Sequence, residues 1–387
     1  MFAVKGATIY TVTKGIIENG TLLVDKGKVK AVGRDVAVPK GTEVINAKGK
    51  VVLPGFIEAH GHIGVFNEAT GEIGADGNEW VNPITPHMRA ADGIWPQDMG
   101  FADARAGGVT AACILPGSAN VIGGLGVVVK TRGEALEDMV VVEDCGMKIA
   151  FGENPKRVYG DQKKSPATRM ATAAMLREAL TKARTYMNKK AKKTAKKEGP
   201  DADLAWEALI PVLTRKIPVR AHAHRADDIL TAVRIAKEFG LRIVLEHCTE
   251  GHLIVDKLKK SPIEAAVVGP SLSSRTKVEL KEKTFRTAGI LDRAGIPVCI
   301  SSDHSVVPLR YFALLAGLAV AAGMTEHSAL QAITIRPAKV LGLEKRMGSL
   351  EPGKDADFSI WDRHPFDSRA VLEALYVDGV KVPSEDF

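Results

Sequence analysis

The sequence predicts an α/β fold: a (β/α)8 TIM-like barrel carrying a small β-sandwich domain built from both chain termini. Three observations lead there. The middle of the chain alternates short apolar runs with segments of helical period, as parallel βα units do. The two ends are rich in short strands and turns and poor in helical pattern. Histidines and an aspartate stand where several apolar runs give way to loop, and a parallel barrel gathers its strand ends at one mouth.

Taken in order, residues 2–52 read as strands at 7–10, 20–24 and 28–32, with Asp25-Lys26-Gly27 as the turn between the last two. Barrel strands are expected at 56–62, 109–115, 126–130, 147–152, 217–223, 242–247, 265–269 and 297–302, the second and third being weakly delimited. Helices are expected at 226–239, where Ile229, Leu230, Val233 and Ile235 mark an apolar face, and at 311–323 and 326–342. Residues 346–382 return to strands, with Asp357–Trp361 and Leu375–Val377 before the turn Asp378-Gly379. The expected domains are thus residues 1–55 with 346–387, and 56–345. A doubly wound open sheet is the rival fold, and no Gly-x-Gly-x-x-Gly turn sits where it would need one.

At 387 residues the chain is long enough for a barrel with a satellite, and 45% hydrophobic with 26% charged residues is ordinary for a globular protein. No apolar stretch reaches the length of a membrane span, and the N-terminus lacks a signal-peptide core. Cys113, Cys145, Cys248 and Cys299 show no paired spacing. These features imply a cytoplasmic protein with no membrane partner. The net charge of +7 arises from residues 182–197, which hold eight cations and no acid, leaving −1 on the remainder. A Lys-rich segment with only Tyr186 for stacking reads as a solvated face, so no nucleic-acid partner is expected.

The chemistry concentrates at the strand ends. His60 and His62 close the run Val51–Ala59, and residues two apart on a strand project to the same side. Two imidazoles so placed can grip one divalent metal, and imidazole nitrogen suits zinc, iron or nickel. His222 and His224 repeat the spacing after Ile217–Ala221, while His247 ends Leu241–Glu246 and Asp303 follows Ile296–Ser302. The long loops 63–98 (His87, Arg89, Trp95) and 116–124 (Asn120) are candidates for shaping a substrate pocket. His252 and His304 follow two of the ligand candidates and are weaker ones, surface positions being the expected alternative.

The motif Pro54-Gly55-Phe56-Ile57-Glu58-Ala59-His60-Gly61-His62 and the tail Gly348–Phe358 resemble signatures of the amidohydrolase superfamily. Within it the chain is similar to the branch of metal-dependent hydrolases that contains imidazolonepropionase, and the likeness runs from the opening strands to Val382. The resemblance implies His60, His62, His222, His247 and Asp303 as metal ligands, with Asp303 also moving a proton from the nucleophilic water to the leaving nitrogen. In imidazolonepropionase the position of His224 is a glutamate; His224 is read as a substrate or transition-state contact, against a purely structural role.

On the fourth strand, Lys148 resembles the lysine that many binuclear members carry as a carbamate, and Glu153 offers a carboxylate bridge instead. The implied cofactor is a divalent metal, zinc foremost, as one or two ions. The implied activity is hydrolysis of an amide C–N bond in a small peptide-like, N-acyl or cyclic amide substrate. Deamination of a cyclic amidine or heteroaromatic amine is the alternative, and a non-catalytic scaffold is a third reading. The expected partner is a small-molecule substrate, and barrel enzymes of this size often form homo-oligomers.

Overall fold

The computed structural model describes residues 1–192 and 199–383. Lys193, Lys196 and Lys197 of the basic segment, and residues 384–387 of the expected small domain, lie outside the described residues.

The N-terminal strands are β1 (Phe2–Tyr10), β2 (Ile16–Asp25), β3 (Lys28–Gly33), β4 (Glu43–Asn46) and β5 (Val51–Pro54). Eight strands then form a nearly closed barrel: β6 (Phe56–Gly61), β7 (Val109–Ile114), β8 (Ile122–Lys130), β9 (Val140–Ala150), β10 (Val219–Ala223), β11 (Ile243–His247), β12 (Ile263–Val268) and β13 (Val298–Ile300). The chain ends with β14 (Phe358–Trp361), β15 (Leu372–Val377) and β16 (Val380–Lys381), which join β1–β5 in a separate sheet. In that sheet β14 pairs antiparallel with β5, so the two ends of the sequence share one hydrogen-bonded surface. Its core draws on both, with Val4, Ile9, Leu22 and Val52 packed against Leu350, Phe358, Ile360 and Tyr376.

All eight expected barrel strands are present, but the third is reversed. β8 runs antiparallel to both β7 and β9. Only residues 115–121 separate β7 from β8, too few for the crossover that a parallel neighbour requires. The reversal carries the end of β8 to the barrel base, because Lys130 pairs in register with Ala111 near the start of β7. There the buried Lys130 ammonium meets Asp355 at 3.1 Å, Asp357 at 2.5 Å and Asp378 at 3.0 Å. Asp355, Asp357 and Asp378 could by spacing alone hold a metal; here a lysine from the barrel occupies their centre.

The helix at Ala226–Phe239 forms as expected and ends on Gly240 in the left-handed conformation. The helix expected at 311–323 spans Phe312–Ala321 after a short 3-10 turn. The one expected at 326–342 breaks into Glu326–Ala332 and Ile335–Val340. Pro337 has no N–H to return to the carbonyl of Ile333. That carbonyl instead accepts from Ile57 N at 2.8 Å, docking the break against β6.

Among the described residues no β13–β6 ladder closes the barrel; side-chain hydrogen bonds close it, with one backbone bond from His62 N to His304 O at 2.9 Å. Ser302 N and Oγ each donate to Glu58 Oε2 at 2.8 Å, Glu58 Oε1 accepts from His60 N at 3.0 Å, and Ser301 Oγ donates to His60 O at 2.7 Å. These bonds fix the two strand ends that carry His60 and Asp303.

Candidate metal centre

Two triads face each other at the barrel mouth. His60, His62 and Asp303 form one, and His222, His224 and His247 the other, with the potential ligand atoms within each lying less than 4.8 Å apart. The imidazoles of His60 and His247 lie 4.8 Å apart between ring centres and join the two groups. His222 and His247 are 4.4 Å apart, and His224 stacks on His247 at 4.7 Å.

The first triad follows from strand geometry. His60 and His62 straddle Gly61 at the end of β6, and their Nε2 atoms approach Asp303 Oδ1 at 3.3 and 3.2 Å. Asp303 has φ +53° and His247 φ +66°, left-handed conformations that turn each chain sharply as it leaves its strand. Ser301 Oγ accepts from Asp303 N at 3.0 Å and braces that turn.

Three of the imidazoles are tied down through Nδ1 on the outer side of the cluster. His60 Nδ1 lies 2.8 Å from Glu246 Oε2, His62 Nδ1 2.8 Å from the Leu115 carbonyl, and His247 Nδ1 2.8 Å from the Gly269 carbonyl. Carbonyl and carboxylate partners accept, so the opposite nitrogens carry lone pairs toward the chamber. His60 Nε2, both nitrogens of His222 and Asp303 Oδ1 are buried without a hydrogen-bond partner. Orphaned buried nitrogen and oxygen donors of this kind are rare outside metal and catalytic sites. The donor set, imidazole plus carboxylate, fits a divalent ion such as zinc.

Burial favours the neutral imidazole at His62, His222, His224 and His247; at His60 burial acts the same way, but Glu246 and Asp303 outweigh it and raise that histidine. Burial pushes His247 down to about 3 and holds His222 and His224 well below the usual histidine range. Burial opposes ionisation of Asp303, but the electrostatic pull of the His247, His60 and His62 imidazoles around it outweighs that, so the carboxyl stays well below its ordinary range.

The two fourth-strand candidates part company. Lys148 is fully buried inside the barrel, with Nζ donating to the Pro116 carbonyl at 2.9 Å, and burial lowers it to about 8. Its charge acts on His60, His62, His222 and His247. Glu153 is in neither triad. It opens the helix Glu153–Asp161, and its Oε1 accepts from Glu279 N at 3.0 Å while Glu153 N donates to Glu279 Oε2 at 2.9 Å.

Arg89 and Asn120 are held by the protein itself. Arg89 pairs with Glu143 and Asp144 at 3.2 and 3.1 Å, and Asn120 Nδ2 donates to the carbonyls of Glu79 and Asn82. His304, expected at the surface, is buried. Sequence reasoning passed over Glu246, Arg220 and Glu279. Glu246 and Arg220 pair inside the barrel, each fully buried, and a charged residue within an apolar strand run was the available signal.

An amidohydrolase family profile matches residues 51–382. Among solved structures, an amidohydrolase from Thermotoga maritima MSB8 is similar at 46% identity and TM-score 0.96, over 99% of this chain and 100% of that one. Amidohydrolase tasK of Hapsidospora irregularis is 29% identical over 93% of this chain, which spans only 39% of that protein's length. A dihydroorotase of Pelotomaculum thermopropionicum is 26% identical over 93% of this chain and 88% of its own. Relatives named imidazolonepropionase match as well.

Proposed function

This chain belongs to the amidohydrolase family, and on that premise we propose that it is a metal-dependent hydrolase cleaving the C–N bond of a small peptide-like, N-acyl or cyclic amide substrate. One observation carries the reading: two triads of nitrogen and oxygen donors stand together at the barrel mouth, with His60 Nε2, both His222 nitrogens and Asp303 Oδ1 buried there without a partner.

His60, His62, His222, His247 and Asp303 would hold the metal. When bound, a divalent ion supplies Lewis acidity that polarises the substrate carbonyl and acidifies water. The remaining work belongs to the chain. Asp303, ionised and 13% exposed in its side chain, faces the chamber and accepts the proton of the attacking water. It then returns that proton to the leaving nitrogen. His224, beside His247, contacts the substrate. Lys148 is our choice for the further ligand that a second ion would need: its Nζ, carboxylated by carbon dioxide with loss of a proton, would offer an anionic carbamate oxygen. Glu153 is committed to Glu279 instead.

The test is the zinc-reconstituted protein against dipeptides, N-acyl amino acids and cyclic amides, following new amine or carboxylate. Turnover of one class supports the reading. Ammonia release from heteroaromatic amines, with no amide cleaved, would replace it by the deaminase alternative.

A further inference from the structure

The reaction scheme leaves unused a buried acid that stands beside His224. Glu279 lies in the loop after β12, its side chain 1% exposed. Its Oε2 is seated by the N–H of Glu153 at the start of a helix, and Glu153 returns the bond to Glu279 N. Gly152, at φ +85°, makes room: a Cβ there would stand 2.7 Å from Oε2. The backbone is therefore shaped around this carboxyl group.

The other oxygen, Oε1, is buried and has no hydrogen-bond partner. Its polar neighbours are His224 Nε2 at 3.8 Å and Lys277 Nζ at 3.9 Å, both just outside bonding reach. Lys277 is already engaged, donating to Asn154 Oδ1 at 2.7 Å. His224 Nδ1 lies 2.7 Å from Thr249 Oγ1. If Nδ1–H donates to that hydroxyl, Nε2 presents a lone pair beside Oε1. Two acceptors 3.8 Å apart can share one nitrogen placed about 2.8–3.0 Å from each. Leaving a carboxylate oxygen buried and unpaired is costly, and a cationic donor offsets that cost best.

We propose that Glu279 and His224 together form the receptor for a primary ammonium group on the substrate, so that the preferred amides carry a free amine. This rests on the amide-hydrolase reading and narrows it: blocked N-acyl compounds and uncharged cyclic amides become poor ligands. Glu279 is then a specificity residue, and its clasp with Glu153 aims it.

The test uses two non-hydrolysable probes on the zinc-loaded protein, an alanyl-alanine phosphinic pseudodipeptide with a free amine and its N-acetyl counterpart, with Kd measured by calorimetry. The free amine should bind more tightly by on the order of 10- to 100-fold, the worth of one charge-assisted hydrogen bond. Glu279→Gln should abolish that preference while holding the N-acetyl probe within about threefold, since only the ammonium contact is weakened. Lys277→Met should keep the preference. Equal binding of both probes to the unaltered protein overturns the inference and leaves the hydrolase reading intact. Loss of the preference in Lys277→Met assigns Glu279 to an internal ion pair and overturns it too. If neither probe binds, the inference falls together with the hydrolase reading.

Discussion

Glu246 Oε2 accepts from His60 Nδ1 at 2.8 Å, fixing the tautomer that points the Nε2 lone pair into the chamber. The same carboxylate pairs through Oε1 with Arg220, whose Nη2 donates to the Ala59 carbonyl at 2.7 Å. Glu246→Gln should weaken zinc retention roughly 10- to 100-fold by loosening the His60 imidazole. It should also destabilise the fold by about 3–5 kcal/mol, because Arg220 is left as an uncompensated buried charge. Chelator competition reads the first effect and thermal denaturation the second. Adding Arg220→Met should restore much of the stability and none of the zinc affinity.

Asp303→Asn should reduce kcat by about 10²-fold or more while the protein stays folded, since an amide still fills the space but accepts a proton poorly. Activity within a few-fold of the unaltered protein would remove Asp303 from proton transfer.

Lys148→Ala should lower the metal content from two ions to one, and a short-chain carboxylic acid should restore part of the activity by filling the vacated space. Glu153→Ala should keep both ions, because its carboxylate serves Glu279. Metal counts on both variants at one bicarbonate concentration decide it; two ions retained in Lys148→Ala would end its role as a ligand.

At the barrel base, Lys130→Met should cost about 3–5 kcal/mol by leaving Asp357 buried without its cation, while Asp355 keeps Lys28 and Arg346. Denaturant titration measures it, and the metal content of the folded fraction should not change.

Metal-free protein should lose stability in acid. Burial holds His247 at about 3 against an ordinary 6.5, so the unfolded chain binds a proton that the folded one refuses. That stability is present above pH 6.5 and is lost as pH falls toward 3. His222 and His224 shift the same way. Glu58 opposes them, since burial raises it to about 7 and the folded state keeps its proton as pH falls from there to 4.5. His60 and Glu279, both raised, oppose them as well, while His62 is lowered with the other histidines. The large downward shifts of His222, His224 and His247 dominate, so the melting temperature should fall across this window, and His247→Asn should flatten the slope.

What the sequence made legible was whatever a single strand could encode. The two-residue spacing of His60 with His62 and of His222 with His224, and the positions of His247 and Asp303 after apolar runs, announced residues that the fold brings to one chamber. Relations between strands were hidden. Nothing local in Gly126–Lys130 shows that β8 runs backwards; the clue is the shortness of the link before it, which is apparent only once the strand is seen to begin at Ile122 rather than Gly126. Glu279 was illegible for a similar reason. It sits in a loop, and only the folded chain brings it beside His224.

The cage around Lys130 also sets an order of events during synthesis. Asp378, its last member, follows Lys130 by 248 residues. At ribosomal rates of about 5–20 residues per second, that interval lasts roughly 12–50 s. For about the first nine-tenths of it the barrel's reversed strand exists while none of the carboxylates that neutralise its terminal cation does, and β5 lacks β14. The nascent barrel thus waits with an open base and an unpaired edge, the state in which a chaperone has most to shield.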